Sequence, residues 1–299
     1  MQGISVVIPT YNSSRTLDRC LDSIDKQSRH PEETIVVDRC STDATIQIAK
    51  MHGTRVLQSP ETRSVARNLG ARASHSFGVL FVDSDMILTP ELVEESARAL
   101  LHHDSLIIPE ASIGTGFWAT CKRIERQAER GNDLLEAPRC YRRESFLAIG
   151  GYDEDLEAGE DWELRDRTER NGLYLGRTQS MLLHDEGKYT PSRAFRRKYA
   201  YGRTISRYLK RNPSASLVQV NPFIRILDPS VRIMSYDLRH GLGVLLLRSL
   251  EFTAAGMGFL ERKIKGSTGS PQKESVSMNS ASWTADVDRN RGTERNRFN

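Results

Sequence analysis

The run Phe77-Gly-Val-Leu-Phe-Val-Asp-Ser-Asp-Met86 drives a short apolar segment into two carboxylates, Asp83 and Asp85, separated by one small residue. An apolar run of this length bounded by Gly78 reads as a buried strand. Carboxylates at the end of such a strand need an exposed sheet edge or a positive partner. Side chains two apart in an extended segment face the same way, so Asp83 and Asp85 are spaced to share one ligand, such as a divalent cation bridging to phosphates. The same residues also read as a helix N-cap cluster ahead of Thr89-Pro90-Glu91, which offers a cap, a proline at the first helical position and an acidic first turn. Their neighbours decide which role dominates.

Upstream, strand and helix patterns alternate. Ile4 to Pro9 reads as a buried strand, and Thr16 to Gln27 as a helix with Leu17, Cys20, Leu21 and Ile24 on one face. Thr34 to Val37 is the next strand and delivers Asp38. Thr42 to His52 is helical with Ile46, Ile48 and Ala49 inward, Arg55 to Gln58 is a short strand, and Val65 to Ser74 is a helix before Val79 to Val82 delivers Asp83. This βαβαβ order predicts a mostly parallel sheet flanked by helices. Ligands in such sheets lie beyond the carboxyl ends of the strands, so Pro9-Thr10-Tyr11-Asn12, Asp38-Arg39-Cys40-Ser41 and Asp83-Ser84-Asp85 should converge on one crevice. No Gly-x-Gly-x-x-Gly follows the first strand and no Gly-Lys-Ser/Thr loop is present, which argues against a dinucleotide or P-loop site.

Composition narrows the class. A chain of 299 residues with 38% hydrophobic content is globular, and 43 Lys and Arg against 39 Asp and Glu leave a formal charge of only +4. That balance does not call for nucleic acid, and none is expected as a partner. Cys20, Cys40, Cys121 and Cys140 are widely spaced, which fits neither a zinc module nor a disulfide scaffold. The N-terminal residues carry no basic leader or small-residue cleavage site, so the expectation is a catalytic part facing the cytosol, at the inner face of the cell membrane.

From about Thr190 the chain changes character. Between Arg193 and Arg211 lie eight cations and no acid, with Phe195, Tyr199, Gly202 and Leu209 as an inward stripe. That pattern leaves the cations to water, phosphate or an anionic surface. Arg225, Arg232 and Arg239 recur every seven residues ahead of the apolar segment Leu242 to Leu260, which is long enough to span a bilayer. It contains Arg248 and Glu251, each costing about 2.5–3.5 kcal/mol near a membrane centre. These two could pair, and peripheral contact through residues 193–260 or packing on the protein needs less compensation than spanning. Three regions follow: 1–190 (a first half to about 90, a second from 91), a basic and apolar helical extension 191–265, and a polar tail 266–299 whose composition predicts disorder.

A second acidic pair, Glu160-Asp161, follows Gly150-Gly-Tyr-Asp153 and Gly159 and precedes Trp162 and Leu164. Carboxylates there would open a helix, where its dipole favours them. With these residues in view, the chain from about Ile4 to Tyr208 resembles a family 2 glycosyltransferase of the GT-A fold. The likeness rests on an ordered series: Val-Val-Ile-Pro-Thr-Tyr-Asn at 6–12, Ile35-Val-Val-Asp-Arg-Cys-Ser-Thr-Asp43, Ser64-Val-Ala-Arg-Asn-Leu-Gly70, Val82-Asp-Ser-Asp85, Arg143 with Gly150-Gly-Tyr-Asp153, and Gly159-Glu-Asp-Trp-Glu-Leu164.

The resemblance implies an inverting transferase that moves sugar from a nucleotide diphosphate, UDP favoured, to a hydroxyl acceptor. It assigns nucleotide-sugar contacts to Pro9, Thr10, Tyr11, Asp38, Arg67, Asp83, Asp85 and Arg143, with Asp38 at the base edge and Asp83 by the ribose. Asp85 would hold Mg²⁺ or Mn²⁺, with His184 as a further metal or phosphate contact. Asp161 would be the catalytic base, and Glu160 would orient it or bind acceptor. Arg39 stands where many members have a second acid, and Cys40 where many have Gly. The basic C-terminal part points to a glycan or lipid-linked acceptor of the cell envelope. A sugar nucleotidyltransferase would carry a Gly-rich basic loop after the first strand, which Pro9-Thr-Tyr-Asn12 is not. A noncatalytic protein binding nucleic acid or membrane through the cationic helices is the other rival.

Overall fold

The structure, a computed structural model, describes residues 2–132, 135–211, 221 and 223–267. By its contacts the chain divides into two units, Met1–Glu261 and Arg262–Asn299. Of the second, only the end of a helix, 262–267, falls among the described residues, so the tail expected to be disordered lies outside them.

Strands β1 (Ile4–Thr10), β2 (Glu33–Asp38), β3 (Arg55–Gln58) and β4 (Gly78–Phe81) form the parallel half of a seven-stranded sheet. Helices α1 (Leu17–Asp25), α2 (Thr45–Met51) and α3 (Arg63–Ala73) connect them. Two short strands lie further along, β5 (Met86–Leu88) and β6 (Ser105–Ile107), with α4 (Leu92–Ala99) between them. Next come β7 (Glu110–Thr115), α5 (Phe117–Glu129), β8 (Pro138–Arg142), α6 (Arg143–Ala148) and α7 (Glu160–Arg170). The remaining strands are β9 (Leu175–Arg177) and β10 (Leu182–Lys188). The large sheet has the order β3-β2-β1-β4-β8-β6-β9, and β5-β10-β7 makes a second, three-stranded sheet. β8 runs antiparallel to both β4 and β6, so the sheet, mostly parallel as the pattern predicts, is mixed at that one strand.

Alternation along β1 explains the layering, because successive side chains face opposite ways. Val6 and Ile8 join Leu17, Leu21 and Ile24 of α1 on one face. Val7 meets Ala66 and Ala71 of α3 on the other, with Phe81, Tyr141, Phe146 and Tyr152 as an aromatic cluster beneath the later site. Burying one such aliphatic side chain contributes about 1.5–3 kcal/mol. The strand set is therefore held by apolar packing and leaves its polar residues to the strand ends.

The C-terminal part is built differently. Helices α8 (Pro191–Thr204) and α9 (Ser206–Arg211) precede a π-helical turn (Phe223–Leu227), α10 (Asp228–Met234) and α11 (Leu238–Ser267). Ala119 and Cys121 of α5, Ala194 of α8, Ile233 of α10, and Val244 and Leu247 of α11 share a small apolar core with Tyr189. A Cβ on Gly202 would collide with the Ala255 backbone, so glycine lets α8 lie directly against α11.

Three expectations are corrected here. The cations of α8 and α9 are largely engaged: Arg197 with Glu186 (3.6 Å), Arg203 with Glu261 (3.5 Å), Arg207 with Asp155 (3.5 Å) and Arg211 with Asp153. Tertiary folding brings acids from distant segments to a stretch that has none. Arg248 and Glu251 do not pair with each other. Both turn inward to α5, Arg248 to Glu125 (2.8 Å) and Glu129, Glu251 to Lys122 (3.4 Å). Finally, Asp83 and Asp85 are not the cap of the next helix, because β5 intervenes and Glu91 takes the N-cap position of α4.

Candidate functional site

The loops leaving β1, β2 and β4 meet at one edge of the sheet, as strand order requires. Asp38 is fully buried and closes the first two loops: its carboxylate accepts from Thr10 Oγ1 (2.8 Å), Ser41 Oγ (2.6 Å) and Ser41 N (2.8 Å). Asn12 N donates to Ser41 Oγ (2.8 Å), and Asn12 Oδ1 accepts from Thr42 N (2.9 Å). Cys40 sits at φ 52°, in the left-handed region that favours glycine. Pro9 is half-buried between buried Ile8 and Thr10, while the Tyr11 ring is exposed and lies 5.4 Å from the Arg39 guanidinium carbon.

Asp83 and Asp85 part company. The chain turns at Ser84 and Asp85, with Met86 N donating to Asp83 O (2.9 Å), so the two carboxylates do not share one face. Asp83 accepts from Arg67 Nη2 (2.7 Å) and Arg139 Nη1 (3.4 Å). Burial opposes its ionisation, yet Arg67 and Arg139 hold its carboxyl far below the usual carboxylate range. Asp85 instead lies 3.6 Å from His184 Nε2 of β10, and burial with the Asp83 charge raises its pKa against the pull of His184.

Arg67 is the hub of the site. Its side chain has no exposed surface, and one guanidinium reaches Asp83, Asp161 (3.1 Å) and Glu160 (3.5 Å) while lying 4.9 Å from the Tyr152 ring centroid. The next residue fixes the geometry: Asn68 Nδ2 donates to Tyr152 O (2.8 Å) and Asn68 Oδ1 accepts from Tyr152 N (2.8 Å). That amide clasp ties α3 to the Gly-Gly-Tyr turn leading into α7. Gly159, at φ 79° and against the face of Tyr208, then turns the chain so that Glu160 and Asp161 open the helix. Glu160 is buried and bound to Arg63, and burial raises its pKa despite that cation. Asp161 keeps 30% of its side chain exposed.

One assignment fails and one residue was missed. Arg143 is not at this edge: its Nε donates to Ala71 O (3.0 Å) and its Nη2 to Arg72 O (3.0 Å), closing the end of α3. Because β8 runs antiparallel to β4, with Leu80 opposite Cys140, Arg139 reaches the carboxyl end of β4 while Arg143 lies at the other end. Strand direction decided this, and no local motif encodes it.

Beyond the acids a cavity of about 460 Å³ opens between Asp83, Asp161 and Trp162 on one side and α5, α8 and α11 on the other. Such a volume suits a small-molecule or oligosaccharide segment, in the range of about 300–1,000 Å³. Behind His184, which lines this cavity, the donors also fit a divalent cation. Asp85 and His184 present a carboxylate and an imidazole side by side, and the His184 Nδ1, near buried Glu186 (3.5 Å), makes no hydrogen bond.

Residues 5–201 match the family described as Glycosyl transferase family 2, more than half of the chain. A poly(ribitol-phosphate) β-N-acetylglucosaminyltransferase, TarS of Staphylococcus aureus (strain Mu50 / ATCC 700699), is 33% identical over 117 residues, 36% of this chain but only 20% of that protein. The O-antigen chain rhamnosyltransferase WbaN of Salmonella anatum is 24% identical over 226 residues, 68% of this chain and 72% of its own. Among solved structures, S. aureus TarS with UDP-GlcNAc superposes at TM-score 0.53 and 18% identity, covering 88% and 92% of the two chains. The mannosyltransferase PcManGT of Pyrobaculum calidifontis, solved with GDP-Man and Mn²⁺, gives 0.59 and 15%, covering 87% of each. At such identities these structures share the fold, which is GT-A.

Proposed function

This chain belongs to glycosyl transferase family 2, and we propose that it transfers a sugar, with inversion, from a UDP-sugar to a hydroxyl of a cell-envelope glycan. The observation that carries this reading is the single buried guanidinium of Arg67, which binds the acid of the donor loop, Asp83, and the acid at the cavity mouth, Asp161. The UDP-GlcNAc bound in TarS supports the donor class, and the poly(ribitol-phosphate) and O-antigen chain in the two relatives' names support the acceptor class. A lipid-linked form of that acceptor is our further reading.

In this scheme Tyr11, Asp38 and the Thr10 loop seat the nucleotide, and Asp83 faces the ribose. Asp161 takes the acceptor's hydroxyl proton as that oxygen attacks the anomeric carbon and the bond to the nucleotide diphosphate breaks. Arg67 fixes the carboxylate, and buried Glu160, clamped by Arg63, sets the start of α7. Asp85 and His184 would hold Mg²⁺ or Mn²⁺, which when bound neutralises the leaving diphosphate as a Lewis acid. The Asp161→Asn protein is expected to bind nucleotide sugar normally and to lose at least about 100-fold in transfer. In contrast, Asp85→Ala should lose the metal-dependent part of donor binding in calorimetry. Full transfer by Asp161→Asn would reject the base.

The enzyme works, in the same proposal, at the inner face of the membrane. Among the described residues one helix is long and apolar enough to cross a bilayer, yet it turns Arg248 and Glu251 to the protein and leaves Leu238, Leu242, Leu246, Met257 and Leu260 exposed. That outward stripe, with Val231 and Tyr236 of the preceding segment and exposed Arg232 and Arg239 beside it, has the make-up of an interfacial helix. Leu242→Glu/Leu246→Glu should abolish sedimentation with anionic vesicles while the fold melts as before. Undiminished sedimentation would dismiss the contact.

A further inference from the structure

The wall of the cavity opposite Asp161 is made of charges buried between helices. Lys122 contacts Glu125 (2.7 Å) and Glu251 (3.4 Å), Arg225 contacts Glu129 (3.3 Å), and Arg248 contacts Glu125 (2.8 Å). Around the rest of the cavity Arg63 has Glu160, Arg126 has Glu110 (3.1 Å), Arg139 has Glu110 (2.5 Å) and Arg197 has Glu186 (3.6 Å). Apart from exposed Arg130, Lys198 is the cavity cation with no carboxylate within 4 Å among the described residues. Its ammonium lies 5.8 Å from the centre of the Tyr201 ring, and Glu251, beyond ion-pair distance, is the carboxylate that attracts it most. It projects from the face of α8 that also sends Arg197, Tyr201, Gly202 and Ile205 into the cavity.

A half-buried ammonium held in no ion pair is costly to keep, because its lost hydration is only partly replaced. Burial accordingly pushes the Lys198 pKa down to about 8, against the attraction of Glu251. The other cavity cations, exposed Arg130 apart, each have a carboxylate within 4 Å, which leaves the Lys198 ammonium available to an anionic ligand in the cavity. We propose that Lys198 is the anchor of an anion subsite in the acceptor half of the cavity, and that the acceptor is a glycan bearing a phosphate ester. The inference rests on the transferase reading for the word acceptor, but not for the anion site itself. The ester could belong to a phosphodiester within a polymer or to a polyprenyl phosphate carrier, and both present the same singly shared oxygens to an ammonium.

The test measures anion binding with no donor present. Calorimetric titrations of the full chain use glycerol phosphate, glycerophosphoglycerol and phosphatidylcholine vesicles doped with polyprenyl phosphate, each against wild type, Lys198→Met and Lys198→Arg. Wild type should bind at least one phosphate ester, with affinity falling as salt rises. Lys198→Met should lose at least tenfold, and Lys198→Arg should retain most of it. Preference for the diester over the doped vesicle identifies a polymer acceptor, and the reverse a lipid carrier. Thermal melting without anion separates this from a structural role: an anion subsite leaves Lys198→Met at least as stable as wild type. Equal ester binding by wild type and Lys198→Met overturns the proposal. So does a lowered melting temperature in Lys198→Met, because Lys198 would then be a counter-ion of Glu251. A wild type that binds phosphate esters but no nucleotide sugar would keep the anion subsite and reject the transferase.

Discussion

The two walls of the cavity are built from opposite materials. On the sheet side, Val7, Ile35, Val37, Val79 and Phe81 are buried without a charge among them, and acids appear only where strands and helices end. On the helical side, Lys122, Glu125, Arg248 and Glu251 occupy helix interiors at no more than 5% exposure. Apolar packing is non-directional and holds the sheet wall whatever its strand ends carry, so those ends are free to serve chemistry. Buried ion pairs return little beyond their own desolvation. What they supply is placement: each cation is fixed by a carboxylate, and the one left over, Lys198, is available to a ligand.

This contrast can be broken at either wall. Arg67 is the exception on the sheet side, a buried charge on which three carboxylates depend, so Arg67→Met is expected to have the largest effect. Transfer should be lost and stability should fall by about 3–5 kcal/mol in a denaturant titration, as for one partner removed from a buried ion pair. Retained stability would show that the acidic pairs do not need a shared guanidinium. Glu251→Leu should act more mildly, costing about 1–3 kcal/mol by leaving Lys122 to Glu125 alone and the Tyr189 hydroxyl (2.9 Å) without its acceptor, while nucleotide-sugar affinity stays unchanged. The pH dependence sharpens this. Burial opposes ionisation of Glu251, but Lys122, Lys198 and Arg248 outweigh it and hold its carboxyl below the usual range. Its contribution is therefore complete above the unfolded carboxyl pKa of about 4.3 and is lost as pH falls toward the lower folded value. Acid denaturation of Glu251→Leu should show a shallower slope in that window. A weakened donor affinity would mean that the two walls are mechanically one.

Legibility followed the same division. The parallel strands, α1 with its buried Leu17, Cys20, Leu21 and Ile24, and the loops carrying Asp38 and Asp83 could be read because hydrophobic period and strand ends are local properties. Glu160 and Asp161 were visible as an acidic helix start. Their bond to Arg67, 94 residues away for Asp161, was not, since nothing in spacing says which acid a guanidinium will choose. Arg139 and Arg143 make the point from the other side. Four residues apart on an antiparallel strand and the helix that follows it, they end up at opposite edges of the sheet.

The sequence by itself determined the βαβαβ start, the crevice at its strand ends and the two acidic pairs, because periodicity and turn chemistry act over a few residues. Only the tertiary structure decided that Asp83 and Asp85 take different partners, that Arg143 leaves the site to Arg139, and that the basic helices meet acids from distant segments. These outcomes depend on distances between segments far apart in the chain. Electrostatic partners are chosen by proximity after packing, and proximity is what a linear pattern does not contain.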